Sequence, residues 1–69
     1  MNPMAFQIHP ASNNGRIGYR VHYTDTRNNK VIYWTQVYND LRDAEHAIKL
    51  AKLYAPTAPV DRSRIGRAA

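Results

Sequence analysis

Apolar and polar residues alternate along the first half of the chain, a pattern typical of half-buried β-strands. The alternation is cleanest from Arg16 to Thr24. Every second residue there, beginning with Ile17, is aliphatic or aromatic, and the residues between them are polar or glycine. Residues from Ala5 to His9 predict a shorter strand that ends at Pro10. Lys30 to Tyr38, rich in β-branched and aromatic residues, predicts a third strand.

Two turn signals set the register of these strands. Asn14-Gly15 favours a type I′ hairpin turn, and Asn28-Asn29 is a weaker form of the same signal, because Asn tolerates positive φ. Two-residue turns at both sites would set these residues opposite one another: Ile8 and Val21, Phe6 and Tyr23, Tyr23 and Trp34, Tyr19 and Tyr38. The core face would then hold Ile32, Trp34 and Tyr38, and the opposite face Val31, Tyr33, Thr35 and Val37.

A helix is predicted after the third strand. Asn39-Asp40 supplies an N-cap, and Pro56 ends the helix. Its core stripe consists of Leu41, Ala44, Ala47, Ile48, Ala51 and Ala55. The expected fold is therefore α+β: a three-stranded antiparallel β-meander packed on one C-terminal α-helix. We expect one domain over residues 1–55 and a flexible basic tail over residues 56–69.

Size and charge narrow the function. A chain of 69 residues without cysteine is one domain that lacks disulfides and thiolate metal ligands. It carries neither a long apolar run nor the features of a signal peptide, so we expect a cytoplasmic protein without a membrane partner. Ten Lys and Arg against five Asp and Glu give a net charge of +5, which favours an anionic partner such as nucleic acid. The alternative is that the charge only keeps a small protein soluble.

Catalytic groups are poorly represented. Ser12 and Ser63 have no base beside them in the sequence, and the carboxylates are scattered over loops and helix ends. His9 and His22 are expected as diagonal neighbours on the outward sheet face, with His46 on the far side of the sheet, so a metal site is not expected. We therefore expect a protein without enzymatic activity and without a cofactor.

The outward sheet face combines cations with hydrogen-bonding groups. A flat three-stranded sheet of this kind fits a DNA major groove, where side chains read base edges and contact phosphates. We therefore predict double-stranded DNA as the partner of a small accessory or regulatory protein, with the alternative of an ordinary solvated face. The predicted contacts are Arg16, Arg20, His22, Arg27, Lys30, Tyr33, Thr35, Arg62, Arg64 and Arg67.

A second surface supports a different hypothesis. Off the core stripe of the helix lie His46, Leu50, Leu53 and Tyr54. Exposed apolar residues on so short a helix indicate a protein contact, either a homodimer or a host protein that this chain modulates. Val31 and Val37 extend such a surface onto the sheet. The alternative is that residues 56–60 fold back and cover the patch.

The order of residues also resembles a known family. The run Tyr19-Arg20-Val21-His22-Tyr23, then Asn29-Lys30, Val37-Tyr38 and the helix start Asp40-Leu41-Arg42-Asp43-Ala44-Glu45 is similar to the arm-type N-terminal DNA-binding domain of tyrosine recombinases. The resemblance implies a three-stranded, helix-backed sheet that enters the major groove. It implies that Arg20, His22, Tyr33 and Thr35 face DNA. Without a following catalytic domain, such a chain would be an accessory factor of the phage-encoded type.

Overall fold

A four-stranded sheet carries one helix on one of its faces. The computed structural model describes residues 3–65. Its elements are β1 (Met4–Asn13), β2 (Arg16–Asp25), β3 (Lys30–Trp34), α1 (Leu41–Ala51) and β4 (Val60–Asp61). The strand order is β3-β2-β1-β4. We call the face that packs on α1 the helix side and the opposite face the outer face. The α+β class is confirmed, with a fourth strand added to the predicted three.

The first hairpin is regular over its whole length. Asn14 and Gly15 adopt φ of 54° and 81°, as the turn signal requires. The antiparallel register then runs unbroken from Asn13 opposite Arg16 to Met4 opposite Asp25. It confirms the predicted pairs of the first two strands, but β1 continues past Pro10. The strand tolerates Pro10 because β4 pairs only with Phe6 and Gln7. The edge of β1 at Pro10 is therefore unpaired on the side away from β2.

The second hairpin departs from the predicted register. Asp25 pairs with Lys30, so the loop contains residues 26–29 instead of a two-residue turn. The Asp25 carboxylate holds this loop, since Oδ1 accepts from the backbone N–H of Arg27 at 3.0 Å. A register shift then leaves Ile32 as an extra residue in β3, so that Tyr33 and not Trp34 lies opposite Tyr23. The predicted Tyr23–Trp34 pair is therefore wrong.

The predicted register returns beyond β3. Two residues lie between Tyr19 and His22 on β2. Three lie between their respective partners, Tyr38 and Trp34. The bulge and this second irregularity compensate for the longer loop. Tyr19 and Tyr38 consequently pair as predicted, through N–H to O contacts of 2.7 Å in both directions.

Helix α1 covers the middle of the sheet. Asp40 is its N-cap, with an extended backbone and a side chain that accepts from the backbone N–H of Arg42 at 3.0 Å. Ala44 and Ile48 are buried in the core cluster. The helix ends at Ala51, earlier than the predicted Ala55, and continues as tighter turns. Within residues 3–65 no helix is long and apolar enough to cross a membrane.

The segment after α1 belongs to the folded unit. The N–H of Phe6 donates to Pro59 O at 2.9 Å, and Val60 pairs with Phe6 in a parallel register. Ala58 is fully buried in the core. The expectation of a purely antiparallel sheet followed by a tail from Pro56 is thus corrected for residues 56–65. The sequence missed β4 because two residues are too few for a periodicity signal.

Candidate nucleic-acid interface

One row of side chains crosses the outer face of all four strands. His22 pairs with Trp34 on one side and with Gln7 on the other, and Gln7 pairs with Asp61. Directly paired residues point to the same face of a sheet. Trp34, His22, Gln7 and Asp61 therefore form a continuous line, which we call the outer row.

Trp34 lies at the β3 end of the outer row and is 56% exposed. The sequence placed this indole in the core, and that placement is wrong. The bulge at Ile32 inverts the faces of the residues that follow it. For the same reason Tyr33 and Thr35, predicted on the outward face, lie on the helix side, where they line a cleft with Tyr23.

The predicted diagonal contact between His9 and His22 is present on the outer face. Their rings stack with centroids 4.0 Å apart and planes inclined by 20°. Nε2 of His9 donates to Gln7 Oε1 at 3.0 Å, and Thr24 Oγ1 donates to the same oxygen at 3.5 Å. Nδ1 of His22 is buried without a hydrogen-bond partner among the described residues.

Both imidazoles of the stack favour the neutral form. Burial lowers the pKa of His22 to about 4, with further lowering by His9, Arg20 and Arg64. Burial also lowers the pKa of His9, and the charge of Arg64 adds to this effect while Asp61 opposes it. At neutral pH the stack is therefore an uncharged pair of rings between cationic groups. No cluster of three metal-ligating side chains occurs in the described part of the chain.

Three of the predicted cations remain available to an anion on the outer face. Arg16 and Arg20 share the outward side of β2 with His22. Arg20 Nε is buried and lacks a hydrogen-bond partner among residues 3–65. Arg64 acts electrostatically on both histidines and on Asp61, which places its charge beside the outer row.

Two other predicted arginines are engaged in ion pairs. Arg27 binds the Asp25 carboxylate through Nε at 3.0 Å and Nη2 at 2.7 Å, and lowers the pKa of that carboxyl. Arg62 binds Glu45 through Nε and Nη2, both at 2.7 Å, and lowers its pKa. Both pairs have the two-pronged geometry that suits structural anchoring. They fix the second loop and the segment after α1.

Two predicted contacts do not join the outer face. Lys30 pairs with Asp25, a position whose side chain belongs to the helix side of the sheet. Arg67 lies outside the described residues. The structure thus brings together Arg20, His22 and Arg64 from the predicted set, with Arg16 on the same face of β2 but about 20 Å along the strand from His22. It adds Trp34, which periodicity failed to orient because the third strand is apolar on both sides.

The predicted protein interface forms a separate exposed patch at the end of α1. Leu50, Leu53 and Tyr54 are all exposed, Tyr54 at 92%, and His46 is exposed nearby. The segment after the helix runs to β1 and leaves this patch open. Beside it a cleft of about 300 Å³ is lined by Phe6, Val21, Tyr23, Tyr33, Thr35, Ala47, Ala51, Tyr54 and Ala55.

Comparison with protein-family models places the chain in a family. Residues 25–61, more than half of the chain, match the family described as a domain of unknown function (DUF1508). The chain belongs to this family. The match includes β3, α1 and β4. Of these, β3 contributes Trp34 to the outer row and β4 contributes Asp61. Neither the curated proteins nor the solved structures contain a match.

Proposed function

We propose that this member of the DUF1508 family binds nucleic acid through the outer face of its sheet. The observation that supports the proposal is that Arg20 and Arg64 lie beside a neutral histidine stack, with Arg16 farther along the same face of β2. Guanidinium groups bind phosphates well, because they are always charged and present several donors in a plane. The protein acts by binding and performs no catalytic step.

An unpartnered donor on Arg20 adds to this support. The Nε of Arg20 is buried without an acceptor, which costs free energy, and a phosphate oxygen recovers this cost if the half-buried side chain shifts to expose Nε on binding. The strand backbone fixes the position of this side chain, since Arg20 pairs with His9 in the unbroken register of the first hairpin. A phosphate is therefore expected beside Arg20.

Double-stranded DNA, predicted from the sequence, is the first partner to test. Anisotropy of a labelled duplex should show binding at about 50 mM salt that weakens sharply at about 200 mM. Three outer-face cations predict a slope of log K against log salt of about −2 to −3. Absence of binding at the lower salt, or binding insensitive to salt, would contradict the proposal.

Two substitutions that each remove one positive charge test the location of the site. Arg20→Ala should weaken binding about tenfold at low salt and make the salt slope less steep by about 1. Lys49→Ala removes one positive charge from the exposed side of α1, away from the outer face, and should leave affinity nearly unchanged. Equal losses in both variants would mean that only net charge matters.

The second candidate function is protein binding through the patch at the end of α1. The specific observation is that Leu50, Leu53 and Tyr54 stay exposed next to an apolar cleft. Such patches are typical of protein interfaces, here with a second copy or with a host protein. The resemblance to the recombinase arm-type domains remains a prediction beside both candidates.

Self-association tests this second candidate with the chain alone. If the patch joins two copies, the protein should sediment as a dimer and Leu53→Asp as a monomer that keeps its circular dichroism spectrum. Arg42→Gln, at the exposed start of α1, also lowers the net charge by one unit, so it is the matched control and should remain dimeric. A monomeric wild type at all accessible concentrations would exclude a homodimer through this patch.

A further inference from the structure

The outer row combines an exposed indole with donors for phosphate. Trp34 is fixed on β3 by its pairing with His22, and the next residue, Thr35, donates its backbone N–H to Val21 O at 3.0 Å. Trp34 is nevertheless more than half exposed to solvent. Burying such a large aromatic side chain would be strongly favourable, so its exposure on a rigid strand indicates a surface that binds a ligand.

The neighbours of Trp34 define the chemistry of that ligand. His22 lies directly opposite, and its ring stacks on that of His9, so ring side chains extend from Trp34 across β2 to β1. Arg20 is two residues from His22 on the same side of β2, within diagonal reach of Trp34. A ligand that satisfies this surface has a planar ring to stack on the indole and an anionic group for the guanidinium. Nucleotides with unpaired bases have both.

A duplex satisfies only half of this arrangement. Its phosphates are accessible to Arg20, but the faces of its bases are covered by their neighbours except at the ends. Single strands expose both the bases and the backbone, and aromatic side chains on open sheet faces bind them by stacking. The prediction of duplex readout relied partly on Tyr33 and Thr35 facing outward, and both lie on the helix side.

We infer that the outer row binds single-stranded nucleic acid, with one base stacked on Trp34 and a phosphate beside Arg20. This inference rests on the proposed function and specifies the form of nucleic acid that is bound. The row spans four strands, on the order of 14 Å, so only a few nucleotides contact the domain at once. Asp61 at its far end repels phosphates and is partly offset by the charge of Arg64, so the phosphate path is favoured on the Arg20 side, near Trp34.

The chain contains one tryptophan, so its fluorescence reports directly on Trp34. The experiment titrates the protein with an oligothymidine of about ten nucleotides and with a blunt duplex of similar length, both at about 50 mM salt. We expect the single strand to quench Trp34 emission and to bind about tenfold more tightly than the duplex. Anisotropy of labelled strands gives the affinities for variants that lack the fluorophore.

Trp34→Ala and Tyr33→Ala form a matched pair. They remove adjacent aromatic side chains of similar exposure, 56% and 62%, from opposite faces of β3. Trp34→Ala should weaken single-strand binding about tenfold and leave duplex binding unchanged, whereas Tyr33→Ala should change neither. Trp34→Phe, which keeps an aromatic ring, should recover part of the affinity. Circular dichroism of each variant verifies the fold.

The possible failures point to different conclusions. If duplex and single strand bind equally and Trp34→Ala binds like the wild type, the inference is overturned while the proposed function stands. If neither binds at low salt, the proposed function fails and the inference fails with it. A protein partner for Trp34 then becomes the better explanation of the exposed indole.

Discussion

The two hairpins of this protein begin with similar Asn-rich turns and end as different structures. The first turn, Asn14-Gly15, is followed by an unbroken ladder between β1 and β2. The second begins from a four-residue loop, contains an extra residue at Ile32, and pairs over only part of β2. One face of the first ladder packs against α1, and the other carries the stacked rings of His9 and His22.

Packing explains why only one hairpin is regular. Phe6, Ile8 and Val21 are buried under α1, so a shift of one residue in the first register would move them to the outer face at great cost. Ile32, Tyr33 and Trp34 are all more than half exposed, so the second register is held by few buried contacts. An edge strand with this freedom can bulge and present an indole outward.

Replacement of one buried and one exposed isoleucine tests this contrast most strongly. Ile8→Ala removes a fully buried side chain and should lower the free energy of unfolding by about 2–5 kcal/mol. Ile32→Ala alters a bulged residue that is 53% exposed and should cost less than about 1 kcal/mol. Urea denaturation followed by Trp34 fluorescence measures both values. Equal losses would mean that the two hairpins are packed alike.

Acid should destabilise the folded state through His22. Its pKa is about 4 in the folded protein, against about 6.5 in an unfolded chain, so the unfolded state binds the proton more tightly. The contribution of His22 to the free energy of unfolding is therefore fully present above pH 6.5 and is lost as the pH is lowered toward 4. The loss is at most about 3 kcal/mol, and partial solvation of the ring reduces it. Urea midpoints measured across this range would report it.

His22→Gln separates this effect from that of the carboxylates. Asp25, Glu45 and Asp61 have lowered pKa values, so their contributions are lost only at more acidic pH. The variant should flatten the stability profile mainly between pH 6.5 and 4, with His9 accounting for the remaining slope because its pKa is also lowered. An unchanged profile in the variant would mean that His22 titrates normally.

The sequence predicted the regular region well and the irregular region poorly. Alternation and the Asn14-Gly15 signal were sufficient for the first hairpin, and Asp40 with the helical stripe was sufficient for α1. The bulge at Ile32 could not be predicted, because Lys30 to Tyr38 is apolar on both sides and fits either register. The face of Trp34 depends on that bulge, so the sequence predicted the outward placement of Arg20 and His22 correctly and that of Trp34 wrongly.

Gly18 lies where the chain after β3 pairs again with β2, next to the Tyr19–Tyr38 pair. A Cβ at this position would lie 2.5 Å from Cγ1 of Val37 and 2.6 Å from the carbonyl oxygen of Tyr38. Gly18→Ala should therefore cost about 1–3 kcal/mol, since the backbone at Tyr38 has to move away from its partner Tyr19. Thermal unfolding would measure the loss. Gly15→Ala is not a control, because φ of 81° there adds backbone strain.

Substitutions in the two turns should have the smallest effect on stability, and their folding and unfolding rates compare the two hairpins. Asn14 and Asn29 have nearly equal positive φ, 54° and 57°, so Ala at either position should cost about 1 kcal/mol. If the long first ladder forms early in folding, Asn14→Ala should slow folding, while Asn29→Ala should mainly speed unfolding. Stopped-flow refolding and unfolding in urea would distinguish the two. A slower folding rate in Asn29→Ala alone would mean that the bulged hairpin forms first, which contradicts the order expected from the buried contacts of β1 and β2.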